Sequence, residues 1–489
     1  MFPGSKISET ASRYPEKIAI IYKNQRITFC ELERNSCTLA AYLKEEGVRK
    51  GDKVAIFLPN CPEFAISYLA LAKLGAVGVL IDARSKAKEL KEIAKDAGFK
   101  LIVCHETNKK HTTDIEGVTK ILSADSLGKI LMEERAFASH PILGEDDDAL
   151  ILYTSGSTGR PKGVILTFGN LGQSPSVMGK LWSLYLDVTG VALPMSHIAG
   201  FIYLTEIIDR GSTMVIFDQL SPQTILESIE RYKITGFWSA PPIFQLILEY
   251  PHRKRYDTAN LKFVAMMGMT VPLTLMQDFR KEFPHLEVLT GLGLTETSPF
   301  ILACRCGHPE TKLGSMGRPV PGVEVRIVDD NGTEVPQGSV GELITRGPHV
   351  MKGYYNQPEE TAKRIRDGWF YTGDMGYFDE DGYFWHLGRK DDLVIIGGLN
   401  VYPAEVENVL KQLPQISEAA VYGVSDGMRG KILKASVVLK PGEYISLTEV
   451  TRFCRENLAN FKVPKQVEIL DHLPKSPVGK IDKRLLARE

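Results

Sequence analysis

Tyr153-Thr154-Ser155-Gly156-Ser157-Thr158-Gly159-Arg160-Pro161-Lys162-Gly163 is the stretch from which the rest of the chain is read. The apolar run Ala149-Leu150-Ile151-Leu152 precedes it and reads as a buried strand; Val164-Ile165-Leu166 resumes the apolar pattern after it. A loop of small, hydroxylated and basic residues is therefore slung between two core segments. Its glycines allow backbone N–H groups to turn toward a common centre. Thr154, Ser155, Ser157 and Thr158 add hydroxyl donors, and Arg160 and Lys162 add positive charge. That set of groups suits a polyphosphate. A flexible Gly/Ser surface loop is the ordinary fate of such composition, but two cations and a proline inside the run weigh against it. The spacing Gly-x4-Gly-Lys-Ser/Thr is absent, so the loop is not a Walker A motif.

Outward from this loop, strands and helices alternate. Ile18 to Tyr22 reads as a strand. Thr28-Phe29-Cys30-Glu31 is a capping box opening a helix with apolar Leu32, Leu39, Ala40 and Leu43, stopped at Gly47. Val54 to Leu58 is a short buried strand, Ala87 to Ala97 a helix and Leu101 to Cys104 a strand. The apolar stretch Ala65 to Ile81 is interrupted by Lys73 and too short for a good membrane span. It reads as a helix, Glu63 to Leu74, and a strand, Ala76 to Ile81. The pattern repeats downstream, with strands expected at Val191-Ala192-Leu193, Met214 to Phe217 and Gly236 to Trp238. Such alternation predicts layered α/β with a largely parallel sheet. After about Ser315 the texture changes to short alternating runs, Val323 to Val328 and Gly341 to Arg346, with the hairpin signal Asp330-Asn331-Gly332. This predicts an antiparallel β-subdomain. Beyond Gly388-Arg389-Lys390-Asp391-Asp392 lies enough chain for a small α+β domain, with helices expected at Ala404 to Leu410 and Leu447 to Leu458. The expected division is 1–388 for a large N-terminal domain and 389–489 for a mobile C-terminal one.

The 489 residues allow two or three domains, and a formal net charge of −1 provides no global field for nucleic acid or an anionic membrane. No apolar signal core opens the chain, and the seven scattered cysteines fit reduced thiols, so a cytoplasmic location is expected. Cys304, Cys306 and His308 lie close in sequence but lack a fourth ligand at zinc-type spacing; incidental thiols in a loop are the better reading.

The Thr154–Gly163 run resembles the phosphate-loop signature of the adenylate-forming superfamily, which includes acyl-CoA synthetases, luciferases and the adenylation domains of peptide synthetases. The likeness extends over essentially the whole chain, with the motifs in the family's order. It implies that Thr154, Ser155, Gly156, Ser157, Thr158, Gly159 and Lys162 bind the phosphates of ATP. Pro194-Met195-Ser196-His197 ends a strand and begins an apolar helix, where the resemblance places His197 beside the bound carboxylate. Met266-Met267-Gly268-Met269 resembles the segment along the adenine and the acyl pocket; Gly268 is assigned to the nucleotide and Met267, Met269 and Phe201 to the acyl pocket. No Lys, Arg, Asp or Glu lies in this segment or between Pro194 and Leu204, so such a pocket would not welcome a second charge. Gly291-Leu292-Gly293-Leu294-Thr295-Glu296 resembles the motif ending in Thr-Glu, which implies a phosphate contact for Thr295 and a Mg²⁺ ligand in Glu296. Leu292 falls where, by this resemblance, most relatives carry an aromatic residue stacked on the adenine; Leu would keep apolar contact and lose the aromatic face. Tyr371-Thr372-Gly373-Asp374 and Gly388-Arg389 match the ribose and phosphate contacts. Asp391 falls at the interdomain hinge. Gly397 and Gly398 match the loop that forms the pantetheine tunnel for coenzyme A. Lys480, in Lys475-Ser476-Pro477-Val478-Gly479-Lys480, matches the lysine that bridges carboxylate and α-phosphate.

The implied activity is a carboxylate–CoA ligase. A hydrophobic acid, fatty or similar, attacks the α-phosphorus of ATP to give acyl-AMP and pyrophosphate, and a thiol then displaces AMP. Lys480, His197 and Glu296 are the expected catalytic residues, and ATP, Mg²⁺ and coenzyme A the expected cofactors. Small molecules are the expected partners, with no nucleic acid; a homodimer is left open. One alternative is a free-standing enzyme that loads an acyl carrier protein. Another is a catalytically degenerate nucleotide-binding scaffold.

Overall fold

Two sheets with parallel cores carry the N-terminal body of the computed structural model. It describes residues 2–137, 141–155, 161–182, 187–269, 271–396, 399–426, 430–475 and 481–487. In one seven-stranded sheet the strands Asp148–Ser155, Val77–Leu80, Lys53–Phe57, Leu101–Cys104 and Lys120–Ser123 run parallel in that order. Pro161–Thr167 pairs antiparallel with Asp148–Ser155, from Asp148 opposite Thr167 to Ser155 opposite Pro161. The quoted stretch therefore enters and leaves through two paired strands of the core sheet, with Ser155 opposite Pro161. The second, nine-stranded sheet runs parallel through Glu287–Gly293, Phe263–Met266, Gly236–Ser239, Val188–Val191, Thr213–Ile216 and Ile18–Tyr22. Its edges are antiparallel.

The helix Pro62–Leu74 is buried at every position except Glu63. It belongs to one continuous core that includes side chains of both sheets. This explains the apolar stretch that interrupts itself with Lys73. The Lys73 side chain has no exposure, and its Nζ reaches both carboxylate oxygens of Glu33 at 2.8 and 2.9 Å and the Gly4 carbonyl at 3.1 Å. A buried ammonium is tolerated only with such partners. Gly4 belongs to the helix Pro3–Arg13, which the sequence reading did not find. Its apolar stripe is thin, and it is fastened by packing on the Pro62–Leu74 helix. Among the described residues no helix is long and apolar enough to cross a membrane.

The Thr28 capping box forms as read, with Thr28 and Glu31 exchanging hydrogen bonds at the start of Phe29–Glu45. The helix Ala87–Ala97 and the strands Leu101–Cys104 and Gly341–Arg346 have the expected bounds. The strand expected at Val191–Leu193 is instead Val188–Val191, because Leu193 and Met195 are taken up by side-chain contacts described below. The β-subdomain is antiparallel: Glu324–Val328, Gly341–Arg346 and Trp369–Phe378 pair in succession, and Phe384–Arg389 pairs with Trp369–Phe378. The small C-terminal domain packs the helices Pro403–Leu410 and Leu447–Asn457 on the sheet Ile416–Asp426, Gly430–Leu439 and Gln466–Ile469. The whole is mixed α/β, a large N-terminal domain followed by a small one.

Candidate active site

Open parallel sheets present their loops at the carboxyl ends of the strands, and here both sheets do so toward one another. Asn60 follows Lys53–Phe57 and Asp82 follows Val77–Leu80, both in the seven-stranded sheet; His197 follows Val188–Val191 in the other. Asn60 clamps the loop before His197. Its Nδ2 donates to the Leu193 carbonyl at 2.8 Å, and its Oδ1 accepts from the Met195 N–H at 2.7 Å. His197 is the N-cap of Ile198–Arg210. Its Nε2 lies 3.0 Å from Asp82 Oδ2. Burial would raise the Asp82 carboxyl, but hydrogen bonds from Arg84 and His197 hold it well below the usual range. An ionised carboxylate only accepts, so Nε2 carries the proton. Gly200 is required by close approach: a Cβ there would sit 2.0 Å from the Pro194 carbonyl oxygen. Asn60 and Asp82 escaped the sequence reading. The signal was present, since each is a polar residue directly after an apolar strand run.

A second group gathers beside the hairpin. Lys162, paired in register with Thr154, sends Nζ to Glu360 Oε2 at 2.6 Å and over the Tyr354 ring at 5.3 Å. Lys162 and then Lys363 pull the Glu360 carboxyl down to about 2. The Tyr354 hydroxyl donates to Glu296 Oε1 at 2.8 Å, and burial followed by the Glu296 charge pushes the phenol well above its ordinary range. Glu296 is fixed through its backbone as well: its carbonyl accepts from the Met351 N–H at 2.8 Å. Thr295 lies in the same short turn, Thr295–Thr297. Among the described residues no three His, Cys, Asp or Glu side chains gather as a protein-only metal cage. Mg²⁺ bound with a nucleotide takes few protein carboxylates, and the half-buried Glu296, which is not neutralised by a described lysine or arginine ion pair, fits that ion.

The third group lies in the β-subdomain. Asp374 is 2% exposed. Its Oδ1 lies 3.2 Å from His386 Nε2, and its Oδ2 lies 3.1 Å from Arg389 Nη1. Burial would raise this carboxyl; His386 and Arg389 outweigh burial and lower it. Asp374 faces Arg389 across the strand pair, in register. Gly373 N–H donates to Glu342 Oε1 at 3.0 Å, and the other Glu342 oxygen meets Lys390 Nζ at 3.0 Å. Lys390 also reaches Asp330 at 2.9 Å. The residues Lys390–Asp392, with Asp391 exposed, form a short turn tied through Lys390 to the β-subdomain.

The apolar assignments divide. Met267 is half-buried and lies 3.4 Å from the place a Cβ on Gly291 would take. Met269 is half-buried, and Gly268 is exposed with nothing within 4 Å of its Cβ position. Met266 points the other way, into a separate core, as the twofold strand period requires. Phe201 has no exposed surface and packs edge-on against Tyr68 at 4.6 Å; it backs a wall and does not face an opening. Leu292 packs, half-buried, against the cluster of Ile301, Leu302 and Phe384. Gly156, Ser157, Thr158, Gly159, Gly397, Gly398 and Lys480 lie outside the described residues, as does the side chain of Ser155.

Comparison with known proteins identifies the family. The family model described as AMP-binding enzyme matches residues 7–355, and AMP-binding enzyme C-terminal domain matches 405–480. The chain is 36% identical over 486 residues to a feruloyl-CoA synthase of an Amycolatopsis species, covering 98% of this chain and 97% of that one. It is 33% identical over 530 residues to a long-chain-fatty-acid–CoA ligase of Bacillus subtilis, covering 99% and 94%. Among solved structures, o-succinylbenzoate CoA synthetase (MenE) from Bacillus subtilis with its acyl-adenylate intermediate superposes with a TM-score of 0.90, at 32% identity and covering 98% and 97%. With both domains matched and full-length relatives above 30% identity, the chain belongs to the AMP-binding enzyme family, as an acid–thiol ligase of the AMP-forming acyl-CoA synthetase type.

Proposed function

We propose that the protein activates a hydrophobic carboxylic acid with ATP and transfers it to coenzyme A, with the division between its domains at 388/389. The observation that carries the choice of acid is the uncharged wall beside His197. The segments 194–204 and 266–271 contain no Lys, Arg, Asp or Glu, and the Tyr203 phenol among them is fully buried. Within the first of them Tyr203 stacks on Trp238 with ring centroids 3.6 Å apart and planes 4° apart, and Trp238 Nε1 donates to the Ala199 carbonyl at 2.8 Å. A wall filled by packed rings favours an acid with a compact apolar body, aryl before long-chain.

The carboxylate would lie against His197, which Asp82 holds through Nε2. Attack on the α-phosphorus forms one P–O bond and breaks the bond to the β-phosphate oxygen, releasing pyrophosphate. Two anions approach in that step, so fixed positive charge near the α-phosphate lowers the barrier. Lys480 would supply it at the reacting oxygens, and Lys162 with the rest of the Thr154–Gly163 run would hold the departing phosphates. Glu296 would hold Mg²⁺, which supplies further positive charge along the polyphosphate. Asp374 would accept from the ribose hydroxyls and Arg389 would contact ribose and phosphate. Gly397 and Gly398 would flank the thiol's path for the second step, with Asp391 as hinge. All seven cysteines are free thiols, in keeping with a cytoplasmic enzyme.

The test is a panel of aliphatic and aryl acids with ATP and coenzyme A, scored by AMP release. Compact aryl acids are expected to turn over best, with coenzyme A preferred to an acyl carrier protein as acceptor. An absence of pyrophosphate exchange with every acid of the panel would remove this reading in favour of a scaffold. Asp82 provides a narrower check. Asp82→Ala is expected to raise the KM for the acid about tenfold, the worth of one charge-assisted hydrogen bond, with the KM for ATP unchanged. Asp82→Asn, which still accepts at Nε2, should recover most of the loss. Equal rises for acid and ATP would mean that Asp82 only supports the fold.

A further inference from the structure

Among the described residues, the site cations given above are matched to carboxylates; a neighbouring arginine is not. Lys162 faces Glu360, Arg389 faces Asp374, and Lys390 faces Glu342 and Asp330. Arg364, the last residue of the helix Pro358–Arg364, is half-buried. Among the described residues it makes no ion pair. Its hydrogen bond is from Nη1 to the Tyr371 carbonyl, a long contact of 3.3 Å. Arg364 is nevertheless aimed at the site. Its Nη1 lies 3.1 Å, and Arg389 Nη2 lies 3.2 Å, from one point, the place a Cβ on Gly373 would occupy. Gly373 precedes Asp374, and the Arg364 charge acts on the Tyr354 phenol, whose hydroxyl donates to Glu296. Arg364 thus stands between the Asp374 group and the Glu296 group.

Two guanidinium groups that converge repel one another unless an anion joins them. Asp374 matches only one of the two charges. A guanidinium has five N–H donors and no acceptor, and its planar fork suits phosphate oxygens better than ribose hydroxyls, which need an acceptor for their protons. We propose that Arg364 is a further nucleotide-binding residue, taking a phosphate oxygen of ATP beside Arg389. The proposal rests on the ATP-dependent activity argued above and adds a residue that the sequence motifs did not mark. Arg364 sits four residues after Glu360 on the same helix, so one face of a short helix supplies both the carboxylate on Lys162 and the unmatched cation.

The experiment uses the full-length chain and the variants Arg364→Gln and Arg364→Lys. The readouts are the rise in melting temperature with Mg²⁺-ATP and the KM values for ATP, acid and coenzyme A. Arg364→Gln is expected to raise the KM for ATP about 10- to 100-fold, the range for a lost hydrogen bond to a charged group. The KM values for acid and coenzyme A should stay within about twofold, and ligand-free melting should stay put. ATP concentrations that stabilise the parent fully should stabilise this variant far less. Arg364→Lys should recover part of both effects, because it restores charge without the fork. An unchanged KM for ATP and an unchanged ATP-induced shift in Arg364→Gln would overturn the proposal. So would a fall in ligand-free melting with all three KM values moving together, the signature of a tie to the Tyr371 carbonyl alone. A parent protein that ATP does not stabilise would instead overturn the functional reading beneath it.

Discussion

Lys480→Ala is expected to lower acid-dependent pyrophosphate exchange by about 100- to 1000-fold, while thiolysis of supplied acyl-adenylate by coenzyme A stays within about threefold of the parent. The asymmetry follows from charge. In the first step a carboxylate meets a polyphosphate, and negative charge gathers at the α-phosphorus. An ammonium placed there meets its strongest demand at the transition state, so removing it costs about 3 kcal/mol of barrier. In the second step a thiolate attacks a carbonyl and AMP leaves with its phosphate already formed. The cation bridging acid and phosphate then has little left to stabilise. A lysine that merely stiffened the C-terminal domain would move both half-reactions together. Equal losses would therefore end the assignment, and ligand-free melting separates it from unfolding.

Asp374→Ala is expected to behave differently, lowering both half-reactions by about 100-fold or more and the melting temperature as well. The proposed ribose contact is present in ATP and in acyl-AMP, so its loss cannot favour one step. Two charge-assisted hydrogen bonds at about 1.5–3 kcal/mol each set the scale. The structural penalty arises because the carboxylate is buried against His386 and Arg389. Removing one partner of a buried pair costs about 3–5 kcal/mol. Arg389 keeps 36% of its side chain exposed, so solvent takes up part of that charge and the cost falls toward the lower end. The pH dependence has a fixed sign. Because the folded carboxyl is held below its ordinary value, the pair's contribution is complete above the unfolded-chain pKa and is lost as pH falls through the lower folded one. An Asp374→Ala variant with unaltered KM for ATP would refute the ribose assignment, whatever its stability.

How much of this was legible in the chain differs from residue to residue. Local rules are written locally. The Thr28 capping box, the bounds of Ala87–Ala97 and the two apolar stems around the phosphate loop follow from spacing and propensity, and all formed as read. Helix Pro3–Arg13 did not announce itself, because its stability comes from Gly4 lying against the backbone of Ala72 and Lys73. That contact joins residues about seventy positions apart and leaves no periodic signal.

The candidate site divides along the same line. The motif residues Lys162, His197, Glu296, Asp374 and Arg389 could be named from the sequence because each sits in a short run that resembles a motif of the family. Their partners could not. Asp82 meets His197 across 115 positions and Glu360 meets Lys162 across 198. Tyr354 and Glu296 are 58 positions apart. Hydrogen bonds of this kind depend on where two strand ends or a helix face arrive after packing. Nor could spacing tell which core each Met joins: Met266 and Met267 are adjacent in sequence, yet they pack against different cores. The sequence alone thus determined the family and the reaction class. The tertiary structure alone decided which charges of the site are already matched, that Phe201 is buried behind the wall, and that Arg364, beside Arg389, makes no ion pair among the described residues. The reason is physical: residue type and spacing specify chemistry and local conformation, whereas the balance of charges in a site is set by contacts between segments that only folding brings together.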